Sequence, residues 1–268
     1  MREKIVLQKE METLLIPLYS RAKMSNQGIF DDIFACETVK AIDYDFDNLH
    51  IPKKLQIFMS IRSSIIEDYT KQFLQENPQT TVVSLGSGLD ARYARLSGYK
   101  KWIDLDFPQV AELREKLLPQ AEKHQSIASS VIDWAWLDKV NSSQEKTLVI
   151  AEGLLMYLKE KEVQKLFNLL ISKFPNATFI FDAYSLSTVK KIKWQSSLRK
   201  TGATIYWGLS DPNDIIAMNP QMVYEKTIYL TDKKYTVRLN SFYRFMFDLA
   251  GRFNAARQAH GILIFHTK

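Results

Sequence analysis

A single cysteine, Cys36, stands in this sequence of 268 residues. Its solitude excludes an internal disulfide framework and any metal centre built from several cysteines, so no metal site is expected. It also fits a reducing compartment, and the cytoplasm is the expected location. Histidine is scarce too: His50, His124, His260 and His266 are the four present, and none falls within the motifs described below. No apolar run reaches the length of a membrane-spanning helix. The opening stretch MREKIVLQKEMETLL interrupts any signal-like apolar core with acids and bases. Neither secretion nor a membrane partner is expected.

Linkers rich in glycine and serine, internal repeats and low-complexity tracts are also missing, which favours one domain over residues 1–268. Charge of one sign is not concentrated. The formal net charge is +6, but the basic residues are dispersed, and the short cluster Lys190, Lys191 and Lys193 reads as a solvated helix face. No nucleic-acid partner is expected, while a mild positive balance helps attract an anionic small substrate.

What the chain does have is apolar content, 46% hydrophobic with 12% aromatic, which suffices for a sizeable core. Residues 3–19, 31–42 and 53–76 read as helices. In the last, Leu55, Phe58, Ile61, Ile65, Ile66 and Tyr69 recur at helical spacing, and Asn77-Pro78 ends it. Strand-like runs follow at 81–85, 102–107, 126–132, 147–151 and 177–182, with helical stretches at 90–97, 108–118 and 159–174 between most of them. That alternation predicts βαβ units and an α/β, doubly wound, mostly parallel sheet covered on both faces. The tail adds strand-like runs at 222–230 and 261–267 around a helical stretch at 241–256, and the last strand is expected to run antiparallel. Residues 1–78 thus form an expected helical lid over an α/β core at 79–268, with the ligand crevice at the carboxyl ends of the strands.

The segment VVSLGSGLDARYARL, Val82–Leu96, passes from a strand through two glycines into a helix. Gly86, Gly88 and Ala91 fit the dinucleotide pattern G-x-G-x-x-[GA], so a nicotinamide-type oxidoreductase is one reading; two glycines that merely permit a tight turn are another. Asp106 lies eighteen residues beyond Gly88 at the end of the next strand-like run. There it could accept hydrogen bonds from ribose hydroxyls or cap the following helix. Asp90 bears on the choice of ligand, because a carboxylate at this turn repels a pyrophosphate. S-adenosylmethionine brings an ammonium, a sulfonium and a carboxylate, and no phosphate. Asp90 itself could touch that ligand, cap the helix or pair with Arg92 or Arg95.

LGSGLDARYARL, WIDLDFPQV, IDWAWL and TLVIAEGLLMYL, in this order and spacing, resemble the class I S-adenosylmethionine-dependent O-methyltransferases related to leucine carboxyl methyltransferase and the tetracenomycin-type polyketide O-methyltransferases. The resemblance implies a Rossmann-like, seven-stranded methyltransferase sheet with an N-terminal helical lid. It places Gly86, Ser87 and Gly88 beside the methionine moiety, Asp106 on the ribose, Asp133 and Trp134 against the adenine, Glu152 near the cofactor's amino-acid end and Arg62 on its carboxylate. Each has a plainer counterpart: Trp134 as a core aromatic, Arg62 in a surface ion pair. Glu152, directly after TLVIA, needs a partner if buried. Ser64 departs from the family, which often has a second basic residue there, and Ala91 replaces a common threonine.

The resemblance also implies an O-methyltransferase whose acceptor is a carboxylate on a polyketide-like or other small molecule, or on a peptide. A carboxylate is anionic at neutral pH and needs orientation more than a base. Arg21, in YSRAK, aligns with a basic position near the acceptor, and Tyr157, in LLMYL, follows the fourth core strand. Both are expected to orient the acceptor. The alternatives are an oxidoreductase of the same fold and a methyltransferase-like binding protein without catalysis.

Overall fold

Strands buried on both faces read as nearly unbroken apolar runs, and that is how this sheet is written. A computed structural model describes residues 3–4, 11–141, 145–192 and 204–268. Its main sheet comprises β1 (Thr80–Leu85), β2 (Tyr99–Asp106), β3 (His124–Ala128), β4 (Thr147–Ala151), β5 (Ala177–Tyr184), β6 (Met222–Tyr229) and β7 (His260–Thr267). The strands lie in the order β3-β2-β1-β4-β5-β7-β6. The first five are mutually parallel, and β7 runs antiparallel to both β5 and β6, as expected. The fold is α/β with a seven-stranded, mostly parallel sheet.

Alternate residues of each strand feed two cores. Val83, Leu85, Val149 and Phe179 point to one face with Leu166 and Leu170 of the helix Glu160–Lys173. Val82, Leu148, Ile150 and Ile180 point to the other, where Ile57, Ile61 and Ile65 cover them. Those isoleucines belong to a long helix at Lys53–Glu76, which ends before Pro78 as its sequence predicts. The chain leaves β1 for β2 on one side, and β4 lies on the other. The crevice at this change of direction, at the strands' carboxyl ends, is where ligands bind in such sheets.

The N-terminal helices differ from expectation in one instructive way. Residues 11–14 form a 3-10 turn and the first α-helix runs Leu15–Ser25, whereas a helix over 3–19 was expected; residues 5–10 lie outside the described set. Pro17 gives the physical reason. Inside a helix starting at residue 3 it would delete a hydrogen bond and clash with the preceding turn, but within the first turn of a helix starting at Leu15 its missing N–H has no intrahelical partner to lose. Glu3–Lys4 instead pairs with Ile42–Asp43 as a small separate ladder. The helix expected at 90–97 shrinks to Arg92–Arg95. The strand expected at 126–132 shifts to His124–Ala128, paired with Trp102–Asp106, and a turn follows it. Lys190 and Lys191 are exposed on the helix Leu186–Ile192, and Lys193 lies outside the described residues.

Candidate functional site

At the end of β1 the backbone turns through Gly86 and Gly88, both with positive φ, 62° and 52°, which only glycine adopts without strain. A Cβ on Gly86 would also come within 2.9 Å of Leu154 Cδ1. The turn's own amides are spoken for. Gly86 and Ser87 donate to the Leu105 carbonyl at 2.8 and 3.3 Å, and Gly88 donates to Asp106 Oδ2 at 2.7 Å. A phosphate-binding turn needs such N–H groups aimed at the ligand. Here three successive amides point into the protein instead, and the helix that follows spans four residues. The geometry does not favour a pyrophosphate and so disfavours the oxidoreductase reading. Ser87 Oγ is left buried without a hydrogen-bond partner, a polar group on the cavity wall that a ligand could satisfy.

Asp90 pairs with Arg92 and Arg95, each at 3.1 Å. Burial would raise its carboxyl pKa, but the two guanidinium groups outweigh burial and hold it well below the usual carboxylate range. These bridges belong to a continuous buried network. Arg95 reaches Asp32 at 2.8 Å and Glu67 at 2.6 Å, Arg21 reaches Asp32 at 2.9 Å, and Arg92 reaches Glu152 at 2.8 Å. Arg62 joins Glu152 at 3.1 Å to Asp182 at 3.3 Å, and His260 Nε2 closes the chain 2.8 Å from Asp182. Buried ions survive only when paired and hydrogen-bonded. Five acids and four arginines meet that condition across helices and strand ends distant in sequence.

Glu152, at the carboxyl end of β4, also accepts from Ser63 Oγ at 2.6 Å. Burial pushes its pKa up, but Arg62 and Arg92 bring it down on balance. Gly153 follows with φ 68°, and a Cβ there would lie 3.0 Å from Arg62 Nη1. Its amide donates to Asp182 Oδ1 at 2.5 Å. Asp182 is the acid at the end of β5, and its pKa falls to about 2 because Arg62 and His260 overcome burial.

Asp106 behaves differently. Burial raises its pKa, and the Gly88 and Phe107 amides offset that only in part. It joins the glycine turn, Arg62, Arg92 and Glu152 in lining a cavity of about 1090 Å³, roofed by residues of the N-terminal segment such as Leu14, Pro17, Leu55 and Met59. The volume lies just above the range of ordinary ligand pockets, ~300–1,000 Å³, with room for a cofactor and an acceptor.

Of the residues singled out in the sequence, Arg21, Arg62, Gly86, Ser87, Gly88, Asp106, Glu152 and Tyr157 border this cavity. Arg21 is buried, with Nε on Asp32 and Nη2 on the Leu89 carbonyl at 3.0 Å. Tyr157 hydrogen-bonds Thr13, and burial pushes its phenol up to about 12 despite Arg62 nearby. Asp133 and Trp134 are not among the lining residues. Asp133 is exposed beyond β3, its Oδ2 3.5 Å from Ser129 Oγ, and Lys165 Nζ sits 4.7 Å from the Trp134 ring centroid. Sequence reasoning missed Gly153, Asp182, Tyr184, His260 and His50. Asp182 follows FIF as Glu152 follows TLVIA, a signal that could have found it. His260 arrives only through the antiparallel β7, opposite Tyr184. His50 borders the cavity from the N-terminal segment, its Nδ1 2.7 Å from the Asn48 carbonyl.

The family model for leucine carboxyl methyltransferase matches residues 18–171. The chain is 32% identical over 239 residues to the tetracenomycin polyketide synthesis O-methyltransferase of Streptomyces glaucescens, with 88% of each protein covered. Among solved structures, a DUF574 family protein of Streptomyces avermitilis superposes with a TM-score of 0.61 at 8% identity, over 93% of this chain and 97% of that one. The magnesium protoporphyrin IX methyltransferase of Synechocystis, with S-adenosylhomocysteine bound, gives 0.52 at 10% identity, over 83% and 93%; these two likenesses speak to the fold alone. With a family match over more than half its length and a relative similar along nearly all of it, the chain belongs to the leucine carboxyl methyltransferase family, a family of S-adenosylmethionine-dependent methyltransferases.

Proposed function

We propose that this enzyme transfers the methyl group of S-adenosylmethionine to a carboxylate on an apolar small molecule, with residues 1–78 serving as the lid. The cavity fits the cofactor. It offers an uncommitted hydroxyl at Ser87, an acid at Asp106 suited to ribose hydroxyls and no phosphate nest. Gly86, Ser87, Gly88 and Asp106 would hold it, with Glu152 and Arg62 towards its amino-acid end. Asp133 and Trp134, past the strand beside Asp106, would border its adenine. The bound cofactor supplies a methyl group on a positively charged sulfur.

The observation that carries the carboxylate reading is the state of the groups around Tyr157. Burial keeps the Tyr157 phenol protonated, with its pKa at about 12, and Tyr184 is raised further. Asp90 and Glu152 are held as arginine-paired carboxylates. The inner wall can therefore donate hydrogen bonds and orient an anion, but its groups are poorly matched to removing a proton at neutral pH. An acceptor that arrives already anionic suits it. Tyr157 would donate to one acceptor oxygen, leaving the other in line with the methyl carbon at about 3 Å. That oxygen would form the new C–O bond, and the electron pair of the broken C–S bond would stay on sulfur. Arg21, fixed by Asp32 and Leu89, would contribute positive potential at the lid. Apolar neighbours such as Leu55, Met59 and Leu154 favour an acceptor with an apolar body, a class to which polyketides belong. A single, buried cysteine supports a cytoplasmic setting.

A hydroxyl acceptor is the second reading, favoured by His50. The contact between its Nδ1 and the Asn48 carbonyl leaves Nε2 to accept a proton. One experiment separates the two. The enzyme is incubated with methyl-labelled cofactor and a panel of apolar carboxylic acids and phenols, and the product is then exposed to mild base. Release of labelled methanol identifies the ester; a base-stable methyl ether overturns the carboxylate reading in favour of the hydroxyl one.

A further inference from the structure

The helix Ser241–Arg252 is apolar on two opposite sides. Its inner side, with Tyr243 and Phe247, packs onto the long helix Lys53–Glu76, where the Phe247 and Phe58 rings lie 5.1 Å apart. Its outer side carries Phe242, Phe245 and Leu249 at i, i+3 and i+7, and Phe253 follows directly. These side chains are 65%, 65%, 42% and 61% exposed. A surface helix of a globular protein turns its polar face outward. This one turns a second apolar ridge outward, which among the described residues nothing covers, and contiguous exposed apolar surface marks an interaction site.

The charge around the ridge identifies what it meets. Residues 231–258 hold six basic residues, Lys233, Lys234, Arg238, Arg244, Arg252 and Arg257, against two acids, Asp232 and Asp248. Their net of +4 is most of the formal +6 of the whole chain. All six basic residues are exposed. Asp68 and Asp31 pair with Lys234 and Arg238 from neighbouring elements, leaving Arg244, Arg252 and Arg257 beside the ridge. A two-fold pairing of copies through this face would set the patch against itself, with like charge on like charge. The complementary partner is anionic. The ridge side chains also stand out from one helix and its end rather than lining a groove that would receive a partner's side chain. Aromatic and aliphatic residues on one stripe with Lys and Arg flanking it are the anatomy of a helix lying in a lipid–water interface.

We propose that the helix Ser241–Arg252 seats its outer ridge, Phe242, Phe245, Leu249 and Phe253, on an anionic lipid surface. Such attachment is peripheral. Among the described residues no helix is long and apolar enough to cross a membrane, and a helix lying in the interface needs no such length. The seat is mechanically close to the cavity, because Phe58 lies beside Leu55 and Met59 on the same helix, and those two line it.

The test is co-sedimentation of the full chain with vesicles of phosphatidylcholine alone or of phosphatidylcholine with phosphatidylserine. The protein is expected to pellet with the anionic vesicles and to be released at high salt, where the Debye length shrinks to about 3 Å at 1 M. Phe242→Ser with Phe245→Ser should lower the partition coefficient about tenfold or more, and Arg244→Glu with Arg252→Glu should remove the preference for phosphatidylserine. S-adenosylhomocysteine affinity, read by calorimetry, should be unchanged in both pairs and reports that each variant is folded. Failure of the wild type to bind anionic vesicles, or undiminished binding by the phenylalanine pair, overturns the proposal. A wild type that is dimeric by light scattering and made monomeric by the phenylalanine pair would assign the ridge to a second copy instead.

Discussion

Arg62 Nε donates to Glu152 Oε1 at 3.1 Å, joining the middle of the long N-terminal helix to the residue that directly follows β4. The same guanidinium reaches Asp182 near the end of the next strand, β5, so one side chain pairs with two buried acids at neighbouring strand ends. Arg62→Ala would leave Glu152 to Arg92 and Ser63, and Asp182 to His260 and the Gly153 amide, so the loss should approach but not exceed the cost of about 3–5 kcal/mol for a buried pair broken from one side. Denaturant unfolding at pH 7 should show that loss. The pH dependence has a definite sign. The depressed pKa of Asp182, about 2 in the folded protein, contributes stability that is present above pH 4 and disappears as pH falls towards 2. In the variant, burial acts on Asp182 without Arg62 to oppose it, so its acid-induced loss of structure should begin at higher pH.

Gly153 is held from two directions, by a φ of 68° and by Arg62 Nη1 at 3.0 Å from the position of a Cβ. Gly153→Ala should therefore cost about 1–2 kcal/mol for the left-handed backbone, and more if the guanidinium is displaced from Glu152. Unfolding free energy reads the first effect. Coupling with Arg62→Ala in a double-mutant cycle reads the second, because additive losses would show that the two residues do not communicate.

Much of this arrangement was legible because strands and turns announce themselves locally. TVVSL followed by GSG located the turn, and acids placed directly after apolar runs located Asp106 and Glu152. The helix at 53–76 was legible from its periodicity and the proline that follows it. What escaped reading was set by pairing over long separations. Arg62 and Asp182 are 120 residues apart, and no local pattern tells an arginine on an amphipathic helix that its partners are buried acids. Nor did the turn disclose that its amides face inward. That depends on the Leu105 carbonyl and the Asp106 carboxylate of the neighbouring strand, hence on sheet register. The first helix was misplaced because the charged residues before it fit a helical pattern while Pro17 fits only a helix start.

Asp106 should make cofactor binding sensitive to mild acid. In the proposed role ribose hydroxyls would donate to the carboxylate, so binding would need the deprotonated form, and burial has raised the pKa above that of an ordinary aspartate. Affinity for S-adenosylhomocysteine should therefore decline as pH falls through that raised value, earlier than an ordinary aspartate would dictate. Asp106→Asn retains an acceptor for the Gly88 amide and removes the charge; it should weaken binding by about 1–3 kcal/mol and flatten the pH dependence. Calorimetry from pH 7.5 to 4.5 on both proteins checks this, and an equal decline in the variant would move the titrating group elsewhere.

Tyr157 tests the acceptor side without disturbing the charged network, since its hydroxyl bonds Thr13 while Arg62 pairs with Glu152 and Asp182, and Glu152 also with Arg92 and Ser63. Its phenol stays protonated through neutral pH because burial holds the pKa at about 12, so its expected role is to donate a hydrogen bond to an anionic acceptor. A bond of that kind contributes about 1.5–3 kcal/mol, which corresponds to a fall of roughly ten- to a hundredfold in kcat/KM for Tyr157→Phe with a carboxylate substrate. Affinity for S-adenosylhomocysteine should hold, because the cofactor residues are untouched. The wild-type rate should also show no loss from pH 7 to 9, since the donor keeps its proton there and a carboxylate acceptor has none to give. If Tyr157 instead acted as a base on a hydroxyl acceptor, the rate would climb steadily across that range as the phenol began to ionise, and Tyr157→Phe would abolish the climb along with the activity.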